Sequence, residues 1–315
     1  MIAAPMFRIS GVDLVLGACR SGIVGAFPVA NCRDIHELDH WLSRFRAELT
    51  PADAPFCPNL IMQRSSVQEE LKCLVRNRVE MVITSVGSPR PVVEPLHDHG
   101  CLVLADVATL RHAEKAIAAG VDGLVLLTAG AGGQTGWANG FAFVRAVRSM
   151  FDGIVVLAGG ISDGWALWAA RALDCDLGYM GTRMIAATES MATDAQREML
   201  VKSKLDDILL TRAFTGLETS MLKPSIVAAG LDPDNLPTDV GAERAAALFG
   251  SKAPASAPKR WRDIWSAGHS VSGIERSEPV EQIVSRTAIE YVEAQAASTR
   301  ISGETWTPPF GQTIA

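Results

Sequence analysis

Eight short apolar runs alternate with helix-like segments between Ile2 and Met180, and this alternation restricts the chain to a parallel α/β fold. The runs are 2–6, 22–29, 57–63, 79–86, 101–105, 121–127, 154–158 and, starting at Cys175 or Asp176, a last one to Met180. Val121, Leu124, Val125, Leu126 and Leu127 are nearly consecutive, as expected of a strand covered on both faces. Between the runs, Val67, Leu71, Leu74 and Val75 repeat at helical spacing over 66–77, and helix signals run from Asp34 to Leu49. Segment 109–119 starts at Thr109, keeps Leu110, Ala113, Ala116 and Ile117 on one face, and stops at Gly120. A count of eight favours a closed TIM (β/α)8 barrel over an open sheet.

Beyond residue 205 the alternation stops. Pro224, Pro233, Pro237, Pro254, Pro258 and Pro279 interrupt 206–279, which reads as a mostly helical, partly irregular cap over the C-terminal mouth of the strands. A helix over 280–298 is expected to return to the barrel, and 299–315, with Pro308 and Pro309, reads as an irregular tail. The length of 315 residues suits one barrel of roughly 250 residues with an added element. Hydrophobic residues at 48% and charged ones at 20% describe a globular chain with a sizeable core. A net charge of −6 leaves no electrostatic footprint for nucleic acid. No run reaches the roughly 18 apolar residues of a membrane span, and MIAAPMFRIS lacks the basic and apolar regions of a signal peptide, so the expected compartment is the cytoplasm. The partner expected is a small-molecule substrate, with the oligomeric state open and a homodimer included. Six cysteines, none in a CxxC pair, argue against zinc or a disulfide framework and for buried thiols.

The sixth run leads into Gly130, Gly132, Gly133 and Gly136, with Gln134 and Thr135 as the only functional side chains of the loop. Alone, such a loop is either a ligand-binding segment or a βα turn that needs glycine. The seventh run ends in Ala158-Gly159-Gly160-Ile161, and the eighth in Gly181-Thr182-Arg183. In barrels the loops after these two strands commonly bind phosphate through backbone N–H groups. Glycines at both places therefore suggest a phosphorylated cofactor such as FMN across the mouth. Asn59, on the third run, is placed either to hydrogen-bond a flavin's polar edge or to be satisfied by backbone. Gln63, Thr84, Ser85 and Thr128 also stand near strand ends, while His97 and His99 fall at the opposite end and read as surface residues.

In combination, VDGLVLLTAGAGGQTG, VVLAGGISDG and MGTRM resemble the nitronate monooxygenase (2-nitropropane dioxygenase) family, which shares its FMN barrel with bacterial FMN-dependent enoyl reductases. Ala4-Pro5-Met6 resembles that family's first-strand turn against the flavin, and Trp265-Ser266-Ala267-Gly268-His269 its Ser-Ala-Gly-Gln segment, with His in place of Gln. The resemblance implies non-covalent FMN, held by Pro5, Met6, Asn59, Asp106, Gly132, Gly133, Ala158, Gly159, Gly160, Gly181 and Thr182. It also implies oxidation of a carbanion-like substrate or reduction by NAD(P)H.

Two departures stand out. Gln134 occupies the place of the family's catalytic His, and a carboxamide cannot take a substrate proton near neutrality. Asp106 stands near the flavin where many relatives carry lysine, and so removes a positive charge or points elsewhere. His269 is a candidate replacement base. Lys252, Lys259, Arg260 and Arg262, with Trp261 and Trp265 among them, form either a site for a phosphorylated substrate or a solvated basic face. The readings are an FMN-dependent oxidase of alkyl nitronates, an NAD(P)H-dependent flavin reductase or dehydrogenase of an enoyl thioester, quinone or other activated alkene, and a catalytically silent flavin-binding protein.

Overall fold

The computed structural model describes residues 1–238, 240–250 and 252–303. Its parallel barrel strands are β1 (Ile2–Ala3), β2 (Val24–Pro28), β3 (Phe56–Ile61), β4 (Met81–Ser85), β5 (Leu102–Val107), β6 (Gly123–Leu127), β8 (Ile154–Ala158) and β9 (Leu177–Met180), with β7 (Gly133–Gln134) lying outside the barrel. β9 closes on β1 through Ile2↔Tyr179 and Ala3↔Met180. Each expected run supplies one strand of the TIM barrel.

Both faces of these strands are buried, which explains their unbroken apolar runs. Ile2, Val24, Cys57, Ile83, Leu104, Val125 and Val156 fill the barrel interior. Phe27, Leu60, Val82, Val103, Leu124 and Leu126 point outward onto the helices. Asp34, Thr109 and Asp163 each cap a helix by accepting from the backbone N–H three residues on. Such caps contribute about 1 kcal/mol apiece.

At the N-terminal end of the barrel one device appears twice. Asp122 Oδ2 accepts from Val103 N at 2.7 Å and pairs with His97 Nε2 at 2.9 Å. Asp176 Oδ2 accepts from Val155 N at 2.8 Å and pairs with Arg148, whose guanidinium also reaches the carbonyls of Gly153 and Asp174. Each aspartate just before a strand thus pins the start of the preceding strand. Asp176→Ala leaves a strand N–H without its acceptor, so a loss of about 1–3 kcal/mol is expected in urea unfolding.

The helix Val280–Gly303 packs on helices Val12–Arg20 and Gly164–Ala172. Gly164 permits the contact, because a Cβ there would lie 2.1 Å from Tyr291 N. This helix continues past 298 to Gly303, so 299–303 are not the irregular start of a tail. Polar residues alone do not end a helix. The rest of the expected tail, 304–315, lies outside the described residues.

Within 206–279 the short helices Lys223–Ala228 and Ala242–Phe249 pack with the hairpin β10 (Ile208–Thr211) and β11 (Thr219–Leu222). β11 also pairs with β7, through Thr219↔Gln134 and Ser220↔Gly133, making a three-stranded antiparallel sheet. Phe214, Met221, Ile226, Phe249 and Ile264 form a separate apolar core for the cap.

Candidate active site

A cavity of about 490 Å³ opens at the C-terminal mouth of the barrel. Its floor is made by inward-facing side chains near the C-terminal ends of several strands: Asn59 of β3, Ser85 of β4, Asp106 of β5, Leu127 of β6, Ala158 of β8 and Tyr179 of β9. One wall is the turn Ala4–Phe7, held because Ser10 Oγ donates to Ala4 O and Asn31 Nδ2 donates to Met6 O. The glycine loop 130–134 makes the second wall, and Gly159, Gly160, Gly181 and Thr182 make the third. The cap roofs the space with Trp261, Trp265, Ser266, Ala267 and Ser270.

Close backbone approach joins cap to barrel. A Cβ on Gly132 would lie 2.8 Å from Gly268 N, and one on Gly268 would lie 2.6 Å from Gly130 O. Gly268 N also donates to Thr182 Oγ1 at 2.8 Å. The resemblance between the late Trp265–His269 segment and the family pattern thus has a physical basis, since that segment seats on the glycine loop.

The third wall suits an anionic group. Gly159 and Gly160 have φ of 125° and 79°, and no heavy atom lies within 4 Å of where a Gly160 Cβ would stand. Among the described residues, no backbone carbonyl accepts from the amides of Gly159, Gly160 or Gly181. Backbone strain also borders the cavity: Val86 (φ 52°) and Trp261 (φ 68°) adopt left-handed conformations that cost side-chain-bearing residues about 1–3 kcal/mol.

Pro5, Met6, Asn59, Asp106, Gly132, Gly133, Gln134, Ala158, Gly159, Gly160, Gly181 and Thr182, singled out from sequence, all line this one cavity. Gln134 is exposed, and its side chain makes no hydrogen bond among the described residues. His269 stands apart. It is exposed, its ring covers Gly130, its backbone N–H donates to Gly130 O at 2.9 Å, and it is absent from the lining. Of the basic cluster, Lys259 donates to Pro254 O, Arg260 to Phe214 O at 2.8 Å, and Arg262 pairs with Asp263 at 2.8 Å. Those three charges are occupied within the cap, while Trp261 and Trp265 between them face the cavity. Thr84 and Thr128 donate their hydroxyls to Leu104 O and Ala158 O. Tyr179 escaped the sequence reading, although its inward parity with Leu177 on β9 marks it.

Burial pushes the Asp106 carboxyl up to about 7. Burial also raises the Tyr179 phenol well above its ordinary range, with Asp106 and then Cys57 adding to the effect. The six free cysteines are buried, and none lines the cavity among the described residues.

Residues 42–288 match the family model described as nitronate monooxygenase. The chain belongs to that family. It is an oxidoreductase of this family on a TIM barrel. Among characterised proteins it is 26% identical over 249 residues to a (3aS,4S,5R,7aS)-5-hydroxy-7a-methyl-1-oxo-octahydro-1H-indene-4-carboxyl-CoA dehydrogenase of Rhodococcus jostii, covering 79% of this chain and 69% of that protein. The enzyme of the same name in Mycobacterium tuberculosis is 23% identical, over 72% of this chain and 64% of its own length. A nitronate monooxygenase of Paraburkholderia phytofirmans is 30% identical over 45% of this chain and 41% of its own. The fold matches FabK from Thermotoga maritima with a TM-score of 0.79 at 23% identity, over 96% of this chain and 94% of that one. It matches nitroalkane oxidase from Streptomyces ansochromogenes with a TM-score of 0.77 at 24% identity, over 94% and 96%. Among the described residues no helix is long and apolar enough to cross a membrane.

Proposed function

We propose that this family member uses FMN to oxidise substrates that arrive with their carbanion already formed, alkyl nitronates above all, consuming O2 and releasing a carbonyl compound and nitrite. The observation that carries the reading is Gln134. It is the polar side chain that the glycine loop presents to the cavity, and it can donate a hydrogen bond to a nitronate oxygen but cannot remove a proton. A substrate that has lost its α-proton needs no base there.

The residues present fit FMN. The uncommitted amides of Gly159, Gly160 and Gly181 would take its phosphate, and the unpartnered Asp106 Oδ1 and Tyr179 Oη offer polar contacts for its ring. Bound there, FMN supplies an electron acceptor and a route to oxygen. Asn59 Nδ2, 3.4 Å from Ile83 O, keeps a second N–H for the ligand. Trp261 and Trp265 exclude water above it.

A second reading is an NAD(P)H-dependent flavin reductase or dehydrogenase, in which NAD(P)H reduces the flavin and the flavin passes the electrons to a CoA thioester or other activated alkene. The names of the Rhodococcus and Mycobacterium relatives favour it. Anaerobic stopped-flow of the flavin-loaded protein separates the two. Rapid bleaching by an alkyl nitronate and none by NADH or NADPH is the expected result, and bleaching by nicotinamides alone would transfer the protein to the second reading.

A further inference from the structure

Asp106 Oδ1 and Tyr179 Oη are buried and have no hydrogen-bond partner among the described residues. Both side chains line the cavity floor. Their neighbour Asn59 differs, since its Oδ1 accepts from Ser85 Oγ at 3.2 Å and its Nδ2 reaches Ile83 O. Leaving a buried polar group unpaired costs about 1–3 kcal/mol, so an uncommitted pair on the wall of a cavity is best explained by a ligand that completes it.

The surroundings of Asp106 contain nothing to neutralise a carboxylate. Tyr179 faces it from β9 and Cys57 from β3, both kept neutral by burial. Asn59 and Ser85 on β3 and β4 are uncharged. Arg64, the one other charged side chain lining the cavity among the described residues, is 3.0 Å from Glu70. Burial with no compensating charge moves the Asp106 midpoint up to about 7.

We propose that Asp106 is a cofactor-binding residue that acts as a carboxylic acid, donating its proton from the barrel floor to the ring system of the bound flavin, with Tyr179 as the second donor. The proposal rests on the FMN reading. A carboxylic acid carries an O–H donor, whereas a carboxylate only accepts and is costly to seal under a ligand. Binding that requires the protonated form raises the Asp106 midpoint further in the complex. Affinity is then full below the free-protein midpoint and falls as pH rises through it.

The test is flavin fluorescence quenching by the cofactor-free protein, with riboflavin as probe alongside FMN. The phosphate of FMN titrates near pH 6 on its own account, and riboflavin removes that complication. For wild type, riboflavin Kd is expected to be level in acid and to weaken up to about tenfold per pH unit above the Asp106 midpoint. Asp106→Asn, which keeps an N–H donor without titrating, is expected to give a level profile. A level wild-type profile, or an unchanged slope in Asp106→Asn, overturns the proposal while leaving FMN binding intact. If neither probe binds at any pH, the cofactor reading falls and the proposal with it. A measurement on wild type alone guards against a variant that does not fold: the infrared C=O band of a protonated carboxyl should vanish through the same midpoint in the free protein and persist to higher pH with riboflavin bound. Absence of that band in mildly acidic solution counts against the proposal.

Discussion

Glu278→Ala is expected to destabilise the protein by about 3–5 kcal/mol, because it strands a buried cation. Glu278 Oε1 lies 3.3 Å from Arg183 NH2, both side chains are nine-tenths or more buried, and Glu278 Oε2 holds Arg276 and Arg286. Among the described residues Arg183 has one other anchor, donating to Ser162 O at 2.7 Å. Without Glu278 three guanidinium groups converge with no counter-charge. Arg183 follows Gly181 and Thr182, so the same variant should loosen the third cavity wall and weaken FMN binding as well. Urea unfolding gives the first effect and fluorescence titration the second. A loss below about 1 kcal/mol would mean that solvent reaches Arg183 freely.

Gln134→His is expected to add a proton acceptor with a midpoint near 6.5 where a carboxamide now stands. Turnover of neutral nitroalkanes should rise by about 10²–10⁴, the usual contribution of a positioned base. Turnover of the preformed nitronate should change little, because its proton has already gone. Steady-state assays on a nitroalkane and its nitronate, run side by side, give the comparison. A variant that binds FMN yet stays inactive on the neutral form would show that the residue at 134 is not what limits proton removal.

The barrel was legible because its strands are buried on both faces. A run such as 123–127 needs no partner to be recognised, and the caps at Asp34 and Thr109 lie beside the helices they start. Much of the cavity lining followed, since the glycines after the seventh and eighth barrel strands occupy positions the architecture dictates. Long-range pairings were not legible. Nothing near Gln134 announces Thr219 as its strand partner, and nothing beside Pro279 marks Glu278 as the counter-charge of Arg183. The basic cluster misled in a different way. Sequence reveals the charge of Lys259 and Arg260 but not the carbonyls of Pro254 and Phe214 that occupy them.

The pairing of β7 with β11 has a kinetic consequence. Gln134 sits on the same ladder as Thr219, so the side chain proposed to meet the substrate is fastened to the cap. An outward swing of the 208–222 hairpin that keeps this ladder intact carries Gln134 with it. Substrate grip and product escape then share one coordinate, and substitutions in the 208–222 hairpin should change both together.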